Sequence, residues 1–166
     1  MLQTIDLGSG ADLDDAVAAQ CEAEAVPDRA LVRRRVADAL GAACVREAAG
    51  AAHWREVYAC TPIEGGRLLE GYVDLLYRGP DGLVVVDHKT AATSDPAELD
   101  RRVEGYRFQG ASYALAVAAA TGEQVVRVVF LVLTPDGAVE RDLPDLAAAV
   151  AEVRQLVVRG NEVVTA

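Results

Sequence analysis

Two strongly apolar segments, separated by one long helical segment, constrain the fold of this chain most. Leu83–Lys89 begins with four consecutive aliphatic residues, and Val125–Leu133 is apolar along most of its length. Such runs are typical of strands that are buried inside a sheet. Between them, Thr93–Pro96 opens a helix that we expect to end near Thr121, with Gly122 just past its end. The sequence therefore predicts a buried sheet with at least one covering helix.

A second strand precedes Leu83–Lys89, and a dense turn signal at residues 78–82 joins the two as a hairpin. Period-two alternation predicts this strand over Leu68–Tyr77. One of its faces should carry Leu69, Gly71, Val73, Leu75 and Tyr77. Weaker signals predict helices over 12–26, 29–49 and 144–158, a strand over 54–60, a turn through Pro62 and Gly65-Gly66, and an edge strand near Val139.

The predicted order of elements is α-α-β-β-β-α-β-β-α, which indicates an α/β fold with a mixed central sheet flanked by helices. A length of 166 residues fits one domain, residues 1–166. Within it, residues 1–50 should be helical, residues 54–142 should form the sheet core with a helix over 95–121, and residues 144–158 should form a C-terminal helix.

The composition limits the class of protein. Hydrophobic residues make up 52% of the sequence, as in a globular protein. No apolar run reaches the roughly 18–20 residues of a membrane span, and the N-terminus lacks the features of a secretory signal. Cys21, Cys44 and Cys60 form no Cys-x-x-Cys pair, so we expect free buried thiols in a reducing, cytoplasmic environment.

The net charge of −10 argues against a protein that coats nucleic acid by general electrostatic attraction. The charges are unevenly distributed, however, because residues 1–28 hold seven acidic residues and no basic one. Two basic clusters follow: Arg29 with Arg33, Arg34 and Arg35, and Arg101 with Arg102 and Arg107. If DNA is the partner, we expect it to approach near these clusters.

Lysine occurs once, at Lys89, whereas arginine occurs fifteen times. A guanidinium stays charged, but the pKa of an ammonium changes readily when the group is buried. A sole lysine beside Asp87, at the end of an apolar strand, therefore indicates a site that needs an amine. A coding bias that depletes lysine is the alternative explanation, and the single Asn161 is consistent with it.

The hairpin predicted at residues 78–82 should place Asp74 beside Val86 or Asp87. Asp87 and Lys89 are two residues apart, so they should project from the same face. Neighbouring carboxylates repel unless a cation or a proton joins them, and oxygen ligands favour Mg²⁺ or Mn²⁺. Such an ion would polarise a phosphate and activate a water, which Lys89 would position or assist. An Asp–Lys salt bridge at a strand end is the alternative.

Three segments carry these residues in order: Gly71-Tyr72-Val73-Asp74-Leu75-Leu76, Val84-Val85-Val86-Asp87-His88-Lys89-Thr90 and Tyr106-Arg107-Phe108-Gln109-Gly110-Ala111-Ser112-Tyr113. Together they resemble the PD-(D/E)XK nuclease core in its RecB-type form, the last segment resembling its Gln-x-x-x-Tyr motif. The resemblance covers roughly residues 54–133. It implies a restriction-endonuclease-like fold and Mg²⁺- or Mn²⁺-dependent hydrolysis of phosphodiester bonds in DNA.

The resemblance also implies roles for individual residues. Asp74, Asp87 and the backbone carbonyl of His88 would be metal ligands, and Lys89 would be the catalytic lysine. Gln109 and Tyr113, one helical turn apart, would face the site and steady Lys89 or the DNA backbone. Glu56 matches an acidic position of the preceding strand only poorly, and a surface glutamate is the simpler expectation.

The sequence differs from the family pattern ahead of the first strand. RecB-type nucleases also carry a metal-binding His on an upstream helix, whereas this chain has only His53 and His88. We expect His53 at a loop or strand edge, and we expect His88 to point away from Asp87 and to be packed or hydrogen-bonded. The opening Leu2-Gln3-Thr4-Ile5 resembles the segment that follows the missing His, so we expect a piece of a longer protein.

Other groups are not indicated. No cysteine follows Cys60, which excludes the four-cysteine iron–sulfur cluster of some relatives, and no Walker-type motif provides an ATP site in this chain. Trp54 is expected in the core, because base stacking needs an exposed aromatic surface.

The function implied by the resemblance is the nuclease domain of a bacterial helicase–nuclease for DNA repair and recombination. Its partners would be DNA and an ATP-dependent helicase domain or subunit, with no membrane, and an exonuclease is expected before an endonuclease. Two alternatives stay open. In the first, the chain is a cleavage-incompetent scaffold that binds DNA or a helicase. In the second, it is an unrelated α/β enzyme whose Asp-x-Lys is coincidental.

Overall fold

The computed structural model describes residues 2, 4–63 and 67–162, in which five strands form one mixed sheet with helices on both faces. Pro62, which was predicted in a turn, lies in a strand and pairs with Leu68, and the Gly65-Gly66 part of that prediction lies outside the described residues. The elements in chain order are α1 (Leu13–Ala23), α2 (Arg29–Leu40), α3 (Ala43–Ala49), β1 (His53–Ile63), β2 (Arg67–Arg78), β3 (Leu83–Thr90), α4 (Pro96–Gly105), α5 (Arg107–Thr121), β4 (Val125–Thr134), β5 (Gly137–Asp142) and α6 (Leu146–Glu162).

The strands lie in the sheet in their order along the chain, from β1 to β5. Neighbouring strands are antiparallel except for β3 and β4, which are parallel. A parallel pair needs a long crossover connection, and α4 and α5 supply it. The predicted mixed sheet flanked by helices, consistent with a restriction-endonuclease-like fold, is therefore confirmed.

Two hydrophobic cores lie on opposite faces of the sheet. On one face, Val85 and Phe130 belong to a core that α5 and α6 cover, which we call the α5 core. On the other face, Val86 and Leu131 belong to a core beneath α2 and α3, which we call the α2 core. Successive side chains of a strand point to opposite faces, so the aliphatic run of β3 is buried on both sides.

The helices are more divided than the sequence indicates. The helix predicted over 29–49 is interrupted at Gly41, and the helix predicted over 95–121 is interrupted at Tyr106, just after Gly105. Glycine is a poor helix former, which makes these positions weak points of a long helix. The predictions of single continuous helices were therefore wrong. The second interruption matters for the site, because it separates Tyr106 from the helix that follows.

Strand β2 changes face along its length. Val73 lies in the α5 core, whereas Leu75 and Tyr77 lie in the α2 core. The prediction of one shared face, from Leu69 to Tyr77, was therefore wrong. A strand of uniform pleat would keep residues 73, 75 and 77 on the same side.

The paired strand β1 changes face at the same level. Val57 packs against the α5 core, whereas Arg55 donates hydrogen bonds on the other side, to the carbonyl oxygens of Leu2 (2.9 Å) and Ile5 (2.7 Å). Between them, Glu56 has a φ of 51°, in the left-handed region. A residue with positive φ interrupts the extended backbone, so the alternation of side chains restarts on the other face.

Two predictions about burial also need correction. Trp54 is 45% exposed rather than part of the core, because it lies on β1, an edge strand of the sheet. The three cysteines are free, as expected, but Cys60 is only half-buried while the other two are buried. Among the described residues, none of the helices has the length and apolar character to span a membrane.

Candidate active site

The β2–β3 hairpin brings Asp74 and Asp87 to neighbouring strands. The last pair of the ladder joins Leu75 to Val86, so Asp74 and Asp87 each lie one residue beyond it on their own strands. The backbone N–H of His88 donates a hydrogen bond to Asp74 Oδ2 at 2.6 Å. The two acidic residues thus lie on neighbouring strands where the paired part of the hairpin ends, near enough for the charge of Asp74 to act on Asp87.

Asp87 is buried and forms an ion pair with the sole lysine. Lys89 Nζ lies 2.5 Å from Asp87 Oδ2. Burial raises the pKa of the Asp87 carboxyl above its ordinary value, Lys89 opposes this rise, and the charge of Asp74 adds to it. Removing a carboxylate from water favours its protonated form, which a nearby cation counteracts.

Lys89 is held from the other side by helix α5. Its Nζ donates to Gln109 Oε1 at 2.9 Å, and Gln109 Nε2 donates to the hydroxyl of Tyr113 at 2.8 Å. Gln109 and Tyr113 are four residues apart, so both side chains lie on one face of the helix. The structure therefore brings Asp87, Lys89, Gln109 and Tyr113 together on the α5 side of the sheet, whereas Asp74, on the neighbouring strand, lines a cavity on the α2 side.

Two glycines allow α5 to lie so close to the sheet. A Cβ at Gly71 would come within 2.5 Å of the Tyr113 ring, so the ring occupies the space that a side chain on β2 would fill. A Cβ at Gly110 would come within 2.9 Å of Phe130 on β4. The position of Gln109 is thus fixed by close packing of its helix on two strands.

Tyr106 is a residue of the site that the sequence did not reveal. Its ring centroid lies 4.7 Å from Lys89 Nζ, within the range of a cation–π contact. Tyr106 lies at the interruption between α4 and α5, where a continuous helix was predicted. Tyr106 precedes Gln109 by three residues, about one helical turn, and this spacing is the feature of the sequence that could have indicated its place in the site.

A cavity of about 270 Å³ opens on the α2 side of the same strands. Arg55, Asp74, His88 and the exposed Glu56 contribute its polar lining, next to apolar residues such as Leu7 and Val36. Glu56 is a surface residue, as expected, but the change of face in β1 brings it to the mouth of the site.

His88 lies on this side, among the residues that line the cavity, while Lys89 faces α5. His88 Nδ1 is 3.7 Å from Asp74 Oδ2, and the buried Nε2 has no hydrogen-bond partner in the described part of the chain. Burial lowers the pKa of His88, and the neighbouring Asp74 carboxylate opposes this effect. His53 begins the edge strand β1, where its Nδ1 lies 3.0 Å from the Ala51 carbonyl oxygen.

The predicted basic clusters are partly neutralised by acidic neighbours. Arg33 lies 2.5 Å from Asp14 and Arg102 lies 2.7 Å from Glu98. Arg107 pairs with Glu152 at 3.2 Å and also donates to a backbone carbonyl. These ion pairs reduce the positive charge that the clusters present to a phosphate.

The oxygen donors of the site suit a hard divalent ion. Asp74 and Asp87 supply carboxylate oxygens from neighbouring strands, and oxygen is the ligand that Mg²⁺ prefers, although Asp87 Oδ2 already lies 2.5 Å from the Lys89 ammonium. Within residues 2, 4–63 and 67–162, no group of three His, Cys, Asp or Glu side chains forms a ready ligand set. Mg²⁺ commonly keeps several waters when one or two carboxylates bind it, so two carboxylates fit this ion.

The fold and the site together define a nuclease-like α/β domain of the restriction-endonuclease type. The family model of the PD-(D/E)XK nuclease superfamily matches residues 6–164, and the chain belongs to this superfamily. PD-(D/E)XK nucleases generally use divalent metal ions. No curated protein matches the chain.

One solved structure shows the same fold. The crystal structure of a putative exonuclease from Eubacterium rectale is 16% identical, with a TM-score of 0.59, over 89% of this chain and 61% of that chain. The crystal structure of SSO0001 is 18% identical, with a TM-score of 0.40, over 64% of this chain and 49% of that chain. The chain therefore spans about half to three fifths of the structures that it matches.

Proposed function

We propose that this chain is the RecB-type, Mg²⁺- or Mn²⁺-dependent nuclease domain of a bacterial helicase–nuclease that acts in DNA repair and recombination. One observation carries the proposal. The only lysine of the sequence is held between Asp87 and Gln109 at the end of a buried strand, with Asp74 on the adjacent strand. Membership of the PD-(D/E)XK superfamily supports the nuclease chemistry.

The chain's own residues supply the binding and positioning steps. Asp74, Asp87 and the backbone carbonyl of His88 would hold a divalent ion, which when bound polarises the phosphate and lowers the pKa of a water. Lys89 places its ammonium beside this position, where it orients the attacking water or stabilises negative charge that develops on the phosphate. Gln109 holds the ammonium through its amide oxygen, and Tyr113 fixes the amide.

We further propose DNA as the substrate, an ATP-dependent helicase domain or subunit as the partner, and a cytoplasmic location. We favour an exonuclease over an endonuclease, and the name of the Eubacterium rectale neighbour supports this preference. A cleavage-incompetent scaffold that binds DNA or a helicase is the second candidate. It is favoured by the small ligand set, since no group of three or more His, Cys, Asp or Glu side chains that could hold a metal ion occurs among the described residues.

A titration with Mn²⁺ distinguishes these two candidates. For the nuclease we expect thermal stabilisation by Mn²⁺ and Mn²⁺-dependent cleavage of linear single- or double-stranded DNA, and Asp87→Ala should lose both. Lys89→Arg should lower the cleavage rate by at least about 100-fold, because a planar guanidinium cannot take the place of a compact ammonium between two partners. Its circular dichroism spectrum should stay unchanged.

Arg101→Lys provides the matched control, since it makes the reverse exchange at an exposed position. This variant should cleave like the wild type. A fully active Lys89→Arg enzyme would contradict the proposed role of the lysine. Absence of any Mn²⁺ stabilisation in the wild type would instead support the scaffold.

A further inference from the structure

The outer part of the β1–β2 hairpin extends beyond the rest of the sheet. Strand β2 pairs with β3 only from Leu75 to Arg78, whereas β1 and β2 stay paired from His53–Tyr77 to Ile63–Arg67. One face of this outer part packs beneath α5, where Gly71 lies under the ring of Tyr113. Its other face carries two exposed tyrosines.

These tyrosines, Tyr58 and Tyr72, form a directly opposed cross-strand pair. Their ring centroids are 5.2 Å apart, with an angle of 49° between the ring planes. Tyr58 is 51% exposed and Tyr72 is 61% exposed. The hydroxyl of Tyr58 donates a hydrogen bond to Glu70, which limits its rotation and leaves the ring open to solvent. We call this pair the tyrosine platform.

The platform continues directly into the candidate active site. Tyr72 and Asp74 are two residues apart on β2, which is about 7 Å along a strand. Asp74 lines the cavity on the α2 side, and the change of face in β2 comes only after it. Tyr72 and Asp74 therefore lie on the same side, and a molecule seated on the platform reaches Asp74 without crossing the sheet.

The charges around the platform select what can sit on it. Glu56, Glu70 and Asp74 lie along this side of the hairpin together with Arg55, whose guanidinium is directed to the carbonyl oxygens of Leu2 and Ile5. The acidic side chains outnumber this guanidinium, so a phosphate backbone would be repelled if it lay flat on the rings. Nucleobases are uncharged and stack on aromatic side chains, whatever the base. The bases of a duplex are hidden in their own stack, whereas those of a single strand are free. The chemistry thus fits unpaired bases, with the phosphates directed away from the rings.

We propose that Tyr58 and Tyr72 form a stacking platform for the bases of single-stranded nucleic acid and that the bound strand leads to Asp74. This inference rests on the proposed nuclease function and specifies its substrate as a strand with unpaired bases. Trp54 is also exposed on β1, but it is paired with Leu76, a residue of the α5 core. Trp54 therefore lies on the opposite face and is not part of the platform.

Binding measured without cleavage tests the platform. Fluorescence anisotropy of the complete chain in EDTA would compare a labelled single strand of thymidines, an abasic strand of equal length, and a duplex. We expect the wild type to bind the thymidine strand most tightly. Tyr72→Ala and Tyr58→Ala should each weaken this binding about 5- to 150-fold, because stacking on one aromatic side chain contributes that factor. Tyr72→Phe and Tyr58→Phe should retain it.

Trp54→Ala is the matched control, since it removes a similarly exposed aromatic ring from the other face of the same strand. It should change the affinity by no more than about twofold, as is usual for surface substitutions. Equal binding of thymidine and abasic strands, equal binding of the duplex, or equal losses in Trp54→Ala and Tyr72→Ala would each overturn the inference. Thermal melts of the alanine variants would confirm that the hairpin remains folded.

A second assay separates this inference from the proposed function. Hydrolysis of methyl p-nitrophenyl phosphate by the wild type with Mn²⁺ reports the diester chemistry on a substrate without a base. If the wild type hydrolyses the diester but binds abasic and thymidine strands equally, the platform is refuted and the nuclease stands. If binding depends on the bases and on Tyr72 but no diester is hydrolysed, the platform stands and the nuclease is refuted.

Discussion

Replacing Gly71 with alanine tests whether the packing of Tyr113 on β2 holds Lys89 in place. The added Cβ would lie 2.5 Å from Tyr113 Cε1 and 3.3 Å from Cδ1. Carbon atoms normally approach no closer than about 3.5 Å, so the ring must move by about 1 Å. Its hydroxyl accepts from Gln109 at 2.8 Å, and Gln109 accepts from Lys89 at 2.9 Å. The displacement should therefore reach the ammonium.

The size of the effect follows from two opposing contributions. Overpacking costs about 1–3 kcal/mol, whereas alanine in place of glycine inside a strand recovers about 0.5–1 kcal/mol. We expect Gly71→Ala to lower the free energy of unfolding by about 0–2.5 kcal/mol, measured by urea denaturation. Catalysis should suffer more, because a misplacement of about 1 Å at a reacting group can lower the rate about 100-fold.

A double-mutant cycle with Tyr113→Leu identifies the cause. Without the ring, the alanine at position 71 meets no aromatic edge, so the two substitutions should show a coupling energy of about 1–3 kcal/mol. Gly105→Ala is the matched control, since a Cβ there meets nothing within 4 Å. Additive effects of Gly71→Ala and Tyr113→Leu, or wild-type cleavage by Gly71→Ala, would refute the proposed connection from packing to Lys89.

Two further predictions concern the rest of the fold. Gly110→Ala places a Cβ 2.9 Å from buried Phe130. Overpacking should lower the free energy of unfolding by about 1–3 kcal/mol, less the roughly 1 kcal/mol that alanine gains in a helix. Urea denaturation measures the difference, and unchanged stability would contradict the close approach of α5. Burial raises the pKa of Cys44 to about 12 from an ordinary 9.0, and the unfolded thiol therefore loses its proton first as the pH rises. Relative to Cys44→Ala, the wild type should lose about 1.4 kcal/mol of stability per pH unit between pH 9 and 12, and parallel curves would contradict this.

Local patterns in the sequence were sufficient to predict the mixed sheet and the hairpin. The aliphatic run of β3 and the turn at residues 78–82 depend on nearest neighbours, so they were visible without tertiary information. The interruption at Tyr106 was not, because a glycine lowers helix propensity without deciding where a helix ends. Trp54 was assigned to the core because base stacking would need a more exposed aromatic surface. Its exposure depends on the edge position of β1, which only the assembled sheet determines.

The change of face at Asp74 explains how one strand serves both the core and the candidate site. In a strand with uniform alternation, Tyr72, Asp74 and Leu76 would share a side. Because Leu76 is buried in the α5 core, the Asp74 carboxylate and the Tyr72 ring would then also lie in apolar surroundings on that side. The left-handed backbone of Glu56 accompanies the switch and costs on the order of 1–3 kcal/mol. That cost is small beside the burial of an uncompensated carboxylate, which is a physical reason for a strained residue at this position.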